Sequence, residues 1–423
     1  MSFGSLLLRA NRKRRSDGTL SVLSEASTRI FESTVTRALV RRLLLDDQSV
    51  FEQPQLREVT SQHWESDPQN TFNPFQSKVQ IPGKSRLETS GSFANNETYL
   101  PPEPFVAELP NATVLAPTGV ALTEDSRFVK DIVAPHRSSN SRLEKLLARS
   151  LRYNGYRDIR NAVSGSDVSP DRCLSLATVL VPTWHNYYHW TLECLPRLLG
   201  VETYRKHTNE TPTILLPSDP PSWMRESLEL VDVDDLEIEE IRSEIIDVDR
   251  LVVPSYPSPS RTECHWLRNR IHDGLDDREL DGESHDRVYV TRRNATVRRV
   301  KDEQRLYSVF DKYDMQPYAL EALTIAEQAN LFAEAELVVS PHGAGLANLV
   351  YASSPTVLEL FGDKEKTTFY RLAKLMGFEY HAMFCDHDKK DIVVDPDRLD
   401  DAIGSVLSGD RDPVIEGRRP GSE

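Results

Sequence analysis

From about residue 172 onward, apolar runs of five to ten residues alternate with segments whose apolar positions recur every three to four residues. That alternation predicts strands at 173–182, 212–218, 244–255, 287–293, 315–320, 336–343, 356–361 and 379–384. Helices are predicted between them: 185–207, 222–231, 261–275, 300–313, 324–335, from about Leu346, 366–376 and 396–408. Thr324 followed by Glu327 reads as a capping box at the start of one of them. Upstream, residues 105–131 alternate in short segments broken by Pro and Gly, the pattern of a small antiparallel unit. Residues 51–105 lack periodicity and are rich in Pro, Ser, Asn and Gln, so they read as a long irregular connection.

Two successive strand–helix series, separated by the acidic, polar stretch 275–286, predict two parallel, doubly wound α/β domains. In such sheets the ligand crevice lies beyond the carboxyl ends of the strands. The expected division is an extension over 1–104, a first domain over 105–280, a second over 281–409 and a tail over 410–423.

Near the N-terminus, Ile30, Phe31, Val35, Leu39, Val40 and Leu43 are spaced for one helical face, with Arg37, Arg41 and Arg42 opposite. The favoured reading is a helix docked on the protein or on a second subunit. A peripheral membrane contact through the arginines is the competing one.

Composition narrows the class. The chain has 423 residues, a net charge of −15 and a pI near 5.3, which argues against a general nucleic-acid binder. Abundant Asp and Glu, with Arg outnumbering Lys, suggest a surface adapted to high salt, and a halophilic archaeal source is the expectation. The four cysteines have no metal-binding or disulfide spacing, which fits a reducing, cytoplasmic setting. No apolar run reaches the length of a membrane span.

Four sets of residues could carry chemistry. In "SPHGAGL", His342, Gly343, Ala344 and Gly345 lie where a strand ends and a helix begins, where backbone N–H groups and close approach suit an anion. The plain alternative is a tight turn with a satisfied histidine. In "TRRNATVRR", Arg292, Arg293, Arg298 and Arg299 cluster around another strand end, with forks that match phosphate oxygens. Ion pairing with the abundant acids is the alternative.

In "HNYYHWTLECLPRL", His189 and Glu193 share a helix face, suited to general-base work or to holding a sugar hydroxyl, with His185 and Asn186 at the helix start. That helix, rich in Tyr and Trp, would equally serve as packing. Glu359 ends the strand "VLELF", a place suited to ribose hydroxyls.

Together "AELPNATVLAPTGVALTEDSRFVKD", "NYYHWTLECLPRL", "RVYVTRRNATVRRVKDEQ" and "LTIAEQANLFAEAELVVSPHGAGLANLVYASSPTVLELF" resemble family 61 of the glycosyltransferases over roughly residues 105–385. One departure is Asp302, where the family often has asparagine. The resemblance implies a GT-B fold, two Rossmann-like domains facing one cleft. It implies an inverting transferase that takes a sugar from a nucleotide donor without a metal or other cofactor. By resemblance the C-terminal domain binds the donor, with Arg292 and Arg293 near the diphosphate, 342–345 as the anion loop and Glu359 at the ribose. His189 and Glu193 become the catalytic pair, either of them the base, and the acceptor is a glycan or lipid-linked oligosaccharide in cell-surface polysaccharide or glycoprotein glycan synthesis. The protein would work in the cytoplasm or at its membrane face.

A nicotinamide-dependent oxidoreductase is disfavoured, because no G-x-G-x-x-G follows an early strand. A non-catalytic carbohydrate- or nucleotide-binding protein on the same scaffold is the remaining alternative.

Overall fold

The computed structural model describes residues 104–409, with short breaks at 135–139, 165–168, 233–235, 258, 277 and 279–284. It also describes 34–45, 50–51, 63–65, 79–80, 98–99 and 414–415. The readings made for residues 1–33, for most of 46–103, for the centre of the acidic linker and for most of the tail lie outside the described residues.

The second strand–helix series folds as expected. Its strands are β8 (Arg287–Val290), β9 (Gln316–Tyr318), β10 (Leu337–Pro341), β11 (Thr356–Phe361) and β12 (Glu379–Phe384), with the short β15 (Val414–Ile415) at one edge. They pair in parallel in the order β9-β8-β10-β11-β12-β15. Parallel pairing explains their near-continuous apolar runs, because both faces are covered. On one face Val309, Phe310, Leu399 and Ile403 of α7 (Tyr307–Lys312) and α10 (Pro396–Ser408) are buried. On the other face lie Ile325 and Phe332 of α8 (Ile325–Glu334) and Phe369 and Leu372 of α9 (Thr368–Met376). The capping box is present: Thr324 accepts from the Glu327 N–H while Glu327 accepts from that of Thr324.

The first series differs from the expected all-parallel sheet. Strands β4 (Arg172–Val179), β5 (Thr213–Pro217), β6 (Ile238–Ile241) and β7 (Ile245–Pro254) are parallel neighbours in the order β7-β4-β5-β6. The antiparallel segment expected to stand apart joins the same sheet. Its long strand β1 (Phe105–Leu115) pairs antiparallel with β7 from Val106↔Pro254 to Leu115↔Ile245, followed by β2 (Val120–Leu122) and β3 (Phe128–Val129). The result is one nine-stranded mixed sheet among the described residues. Pairing between residues some 140 positions apart leaves no local trace, which is why periodicity treats the two segments as separate.

One apolar cluster crosses between the two sheets. Met224 and Leu228 of α5 (Ser222–Val231) and Cys264 and Leu267 of α6 (Arg261–Asp276) belong to the same core as Phe332, Leu349 and Phe369. Polar contacts fix the join: Nε2 of His272 lies 2.6 Å from the Tyr351 carbonyl, and Glu226 accepts from the Ile325 N–H at 2.9 Å.

The N-terminal amphipathic helix, α1 (Thr34–Leu44), docks on the protein through Val40 and Leu44, and Arg41 meets Glu144 at 2.6 Å. No helix among the described residues is long and apolar enough to cross a membrane.

Candidate functional site

Both sheets have a topological switch point, where ligands bind in open α/β folds. In the first it lies between β4 and β7. In the second it lies between β8 and β10.

The chain leaving β4 runs through Trp184 to a turn of α-helix at Tyr187–His189, a π-helical stretch at Trp190–Cys194 and a 3₁₀ turn at Leu195–Arg197. The expected continuous helix is therefore broken where the chemistry sits, a habit of π-bulges. Nδ1 of His189 lies 2.7 Å from Oε2 of Glu193. The same oxygen accepts from the Tyr256 hydroxyl at 2.5 Å and from Nη1 of Arg142 at 3.2 Å. Oε1 accepts from Nη2 of Arg142 at 3.2 Å.

Burial works to raise the pKa of Glu193, but the bond from His189, the charge of Arg142 and the bond from Tyr256 outweigh it and hold the carboxyl below its usual range. Glu193 is thus a fixed carboxylate with both oxygens engaged, Oε2 by three donors and Oε1 by one. An ionised Glu193 accepts from Nδ1–H, which leaves Nε2 of His189 with its lone pair for a ligand. His189 is also the more exposed partner, at 23 % against 8 %.

Arg142, on α2 (Ser141–Tyr153), and Tyr256, just past β7, escaped the sequence reading. Tyr256 stands at the carboxyl end of a switch-point strand, a signal that could have found it. Arg142 sits on an ordinary amphipathic helix 51 positions from Glu193 and gives no such signal. Of the residues placed on the acceptor side, Asn186 caps the helical turn by accepting from the Tyr188 N–H at 3.0 Å. His185 is exposed, and the partial desolvation of its ring and the charge of Arg149 lower its pKa.

Because Glu193 titrates below its usual value of 4.5, its share of stability is fully present above that pH. It is lost as pH falls through the depressed native value. We expect the stability difference between wild type and Glu193→Gln, read from urea unfolding midpoints, to be constant above pH 5 and to shrink steadily below about 4.5.

At the other switch point, β10 ends at His342. Nδ1 of His342 lies 2.5 Å from Oε1 of Glu359, whose other oxygen accepts from the Tyr380 hydroxyl at 2.6 Å. Burial and the Glu359 charge hold the Tyr380 phenol far above its ordinary value, so it stays a donor. Glu359 is fully buried. With both oxygens engaged beneath His342 it is not open to ribose hydroxyls, which corrects the role expected of it. It orients the imidazole, whose ring lies against Phe361 at 5.5 Å and Phe369 at 5.4 Å.

The α-helix expected from Leu346 is a seven-residue 3₁₀ segment, Ala344–Val350. Any anion here therefore depends on side-chain cations more than on a helix dipole.

Those cations are present. Arg292 follows β8 and lies against Gly343; a Cβ on Gly343 would stand 1.9 Å from Nη1 of Arg292. Since Gly343 has φ −172°, close approach and not backbone conformation accounts for its glycine. Gly345 is packed against Leu320, 2.9 Å from where its Cβ would be. Arg292 donates to the carbonyls of Arg298 and Val297, each at 3.2 Å. Burial first, then the neighbouring Arg298, push its pKa down to about 10.

Arg298 adopts φ 58°, in the left-handed region, and its buried Nε makes no hydrogen bond. Backbone in that region is a reservoir of strain at functional sites. Arg293 is exposed at the same loop. No carboxylate of the described residues lies within ion-pair distance of Arg292, Arg293 or Arg298. Arg299 differs: it pairs with Asp391 at 2.5 Å on the surface, the bland reading, and leaves the cluster. Asp302 takes φ 52°, a left-handed conformation that Asp tolerates nearly as Asn does. Gly343→Ala should displace the Arg292 guanidinium and weaken anion binding about tenfold or more, measurable by titration with a nucleoside diphosphate.

The two sites face each other. The Tyr188 ring lies 5.2 Å from His189 and 5.9 Å from Phe369, which touches His342. Beside this chain, the Tyr187 hydroxyl donates to Oδ1 of Asn348 in the 3₁₀ segment, and Asn348 donates to Gln328 at 2.8 Å. A separate cavity of about 20 Å³, lined by Pro104, Arg197, Gly200, Pro254 and Glu263, has room for about one water and is not part of this cleft. Among the described residues, no group of three His, Cys, Asp or Glu could hold a metal ion.

A stretch of 114 residues is 27 % identical to the EGF domain-specific O-linked N-acetylglucosamine transferase of Drosophila melanogaster. It covers 26 % of this chain and 21 % of that protein, so the chain matches about a fifth of its relative's length. The stretch from Tyr187 to Leu358, which carries His189, Glu193, the four arginines and His342 and stops one residue short of Glu359, matches the family model of Glycosyltransferase 61.

Proposed function

We propose that this protein is an inverting glycosyltransferase that moves a sugar from a nucleotide-sugar donor to a hydroxyl of a glycan acceptor, without a metal. The two α/β units act as the halves of a GT-B arrangement, 105–280 on the acceptor side and 281–409 on the donor side. The observation that supports the reading is a part-buried guanidinium cluster with no carboxylate within ion-pair distance among the described residues, set one aromatic chain away from a histidine–carboxylate dyad.

Each part has a role. Arg292, Arg293 and Arg298 bind the donor diphosphate, together with Nε2 of His342 and the 343–345 backbone. Nε2 of His189 takes the acceptor hydroxyl proton as its oxygen attacks the anomeric carbon. The bond from that carbon to the diphosphate oxygen breaks, and its electron pair leaves with the diphosphate. Preorganised cations stabilise that developing charge at little reorganisation cost. The proton stays on His189, and the imidazolium is stabilised by Glu193. A single in-line displacement inverts the anomeric centre. Four free thiols fit a reducing, cytoplasmic setting.

The test is calorimetric titration with UDP-, GDP-, TDP- and CMP-sugars, in the presence of EDTA and again with magnesium. Saturable binding of one nucleotide class in EDTA is expected. Failure of all four, with and without magnesium, overturns the reading.

A further inference from the structure

Two clusters carried by different sheets can share one reaction only if their separation is fixed, since a shift of about 1 Å can cost about 10²-fold in rate. Tyr187 and Asn348 join them directly. Tyr187 opens the single helical turn, Tyr187–His189, that carries His189, and Asn186 caps that turn. Asn348 lies in the 3₁₀ segment Ala344–Val350, which begins in the 343–345 loop. The Tyr187 hydroxyl donates to Oδ1 of Asn348.

The direction of each bond follows from the groups around it. Nε2 of Gln328, on α8, donates to the carbonyls of Leu320 at 2.9 Å and Leu323 at 3.1 Å. Its Oε1 is therefore the atom left to accept from Nδ2 of Asn348, at 2.8 Å. That bond commits the amide nitrogen of Asn348 and leaves Oδ1 for Tyr187. Gly345 rests on the same support, because a Cβ there would stand 2.9 Å from the Leu320 side chain. On its other side the Tyr187 ring meets Trp223 of α5 edge to face, at 5.8 Å.

Asn348 is fully buried in the apolar core that crosses between the sheets. Replacing both partners of a buried hydrogen bond by apolar groups of the same shape is often nearly neutral for stability. What a fully satisfied network adds is a single, rigid arrangement. The two interface bonds described above, from His272 to Tyr351 and from Glu226 to Ile325, touch neither the His189 turn nor residues 342–350. The Tyr187–Asn348 bond touches both.

We propose that this bond, held from behind by Gln328, sets the position of His189 against the donor loop, so that Tyr187 and Asn348 are positioning residues of the transfer. This rests on the transferase reading and assigns residues to the same site.

The test compares the full chain as wild type, Tyr187→Phe, Asn348→Ala and the double variant. Thermal melts report folding, and titration with UDP-, GDP-, TDP- and CMP-sugars reports the donor site. Single-turnover release of nucleotide from the bound sugar nucleotide, with water or gluco-, manno- and xylo-oligosaccharides as acceptor, reports the chemical step. Each single variant should react at least about tenfold more slowly than wild type while its affinity for the sugar nucleotide stays within about threefold. The double variant should react no more slowly than the slower single, since both changes break one bond. Wild-type rates in the single variants, rate losses that multiply in the double variant, or a loss that only follows lost affinity would each overturn the proposal. If Tyr187→Phe does not fold, Asn348→Ala decides; failure of both to fold would assign the pair to the scaffold and overturn it as well. Wild type that binds no sugar nucleotide, or binds one and transfers its sugar to neither water nor oligosaccharide, would instead remove the transferase reading itself.

Discussion

Replacing His189 by alanine is expected to lower kcat by about 10²–10⁴-fold, the usual worth of a general base, and to leave nucleotide-sugar affinity almost unchanged. The expectation follows from which nitrogen is occupied. Nδ1 is bonded to Glu193, so Nε2 is the nitrogen left for a ligand. Glu193 is poorly placed to stand in for it, being buried, bonded at both oxygens and held below its usual pKa by His189, Arg142 and Tyr256. Glu193→Gln would also lower kcat, but it strands a half-buried Arg142 and so mixes lost chemistry with lost stability. His189→Ala is the cleaner variant. Single-turnover kinetics at saturating donor would separate the chemical step from binding, and an unchanged rate would exclude His189 as the base.

The second large effect concerns the donor. Arg292→Met is expected to weaken nucleotide-sugar binding by roughly 10–200-fold, because one charge-assisted hydrogen bond is worth about 1.5–3 kcal/mol. The ligand-free protein should be as stable as wild type or slightly more so. Arg292 donates to two carbonyls, but it is a buried cation beside a second cation with no carboxylate partner among the described residues. Removing a part-buried cation with no carboxylate partner among the described residues is therefore expected to uncouple function from stability. Thermal melts with and without a nucleoside diphosphate would show this. Wild type should gain about 2.7 kcal/mol at a ligand concentration a hundred times Kd, and the variant far less. A variant that is strongly destabilised yet binds donor normally would place Arg292 in the scaffold.

Much of the donor half was legible in the sequence. Strands buried on both faces appear as unbroken apolar runs, so 336–343, 356–361 and 379–384 mark strands to within about two residues. The capping residues Thr324 and Glu327 mark a helix start. Glycines and charged groups at strand ends mark a crevice. What was not legible depends on which way a side chain faces. Glu359 lies inside β11, two residues before its end and not at it, and its carboxylate serves His342. Arg292 and Arg299 sit in the same short segment, one buried against Gly343 and the other paired with Asp391 on the surface. The acceptor half was harder still. Its sheet is closed by pairing between β1 and β7, and its dyad is completed by Arg142 and Tyr256 from two other segments. Such contacts are products of tertiary assembly and leave no periodic trace.

The central claim is that two strand-end clusters, one from each sheet, make a single transfer site. The most direct test is a crystal structure with the nucleoside diphosphate identified by titration. The account predicts its diphosphate within hydrogen-bond distance of Arg292 and Arg298, against His342–Gly345, with its terminal phosphate directed toward Nε2 of His189. A nucleotide bound elsewhere, or one whose terminal phosphate faces away from His189, would contradict it.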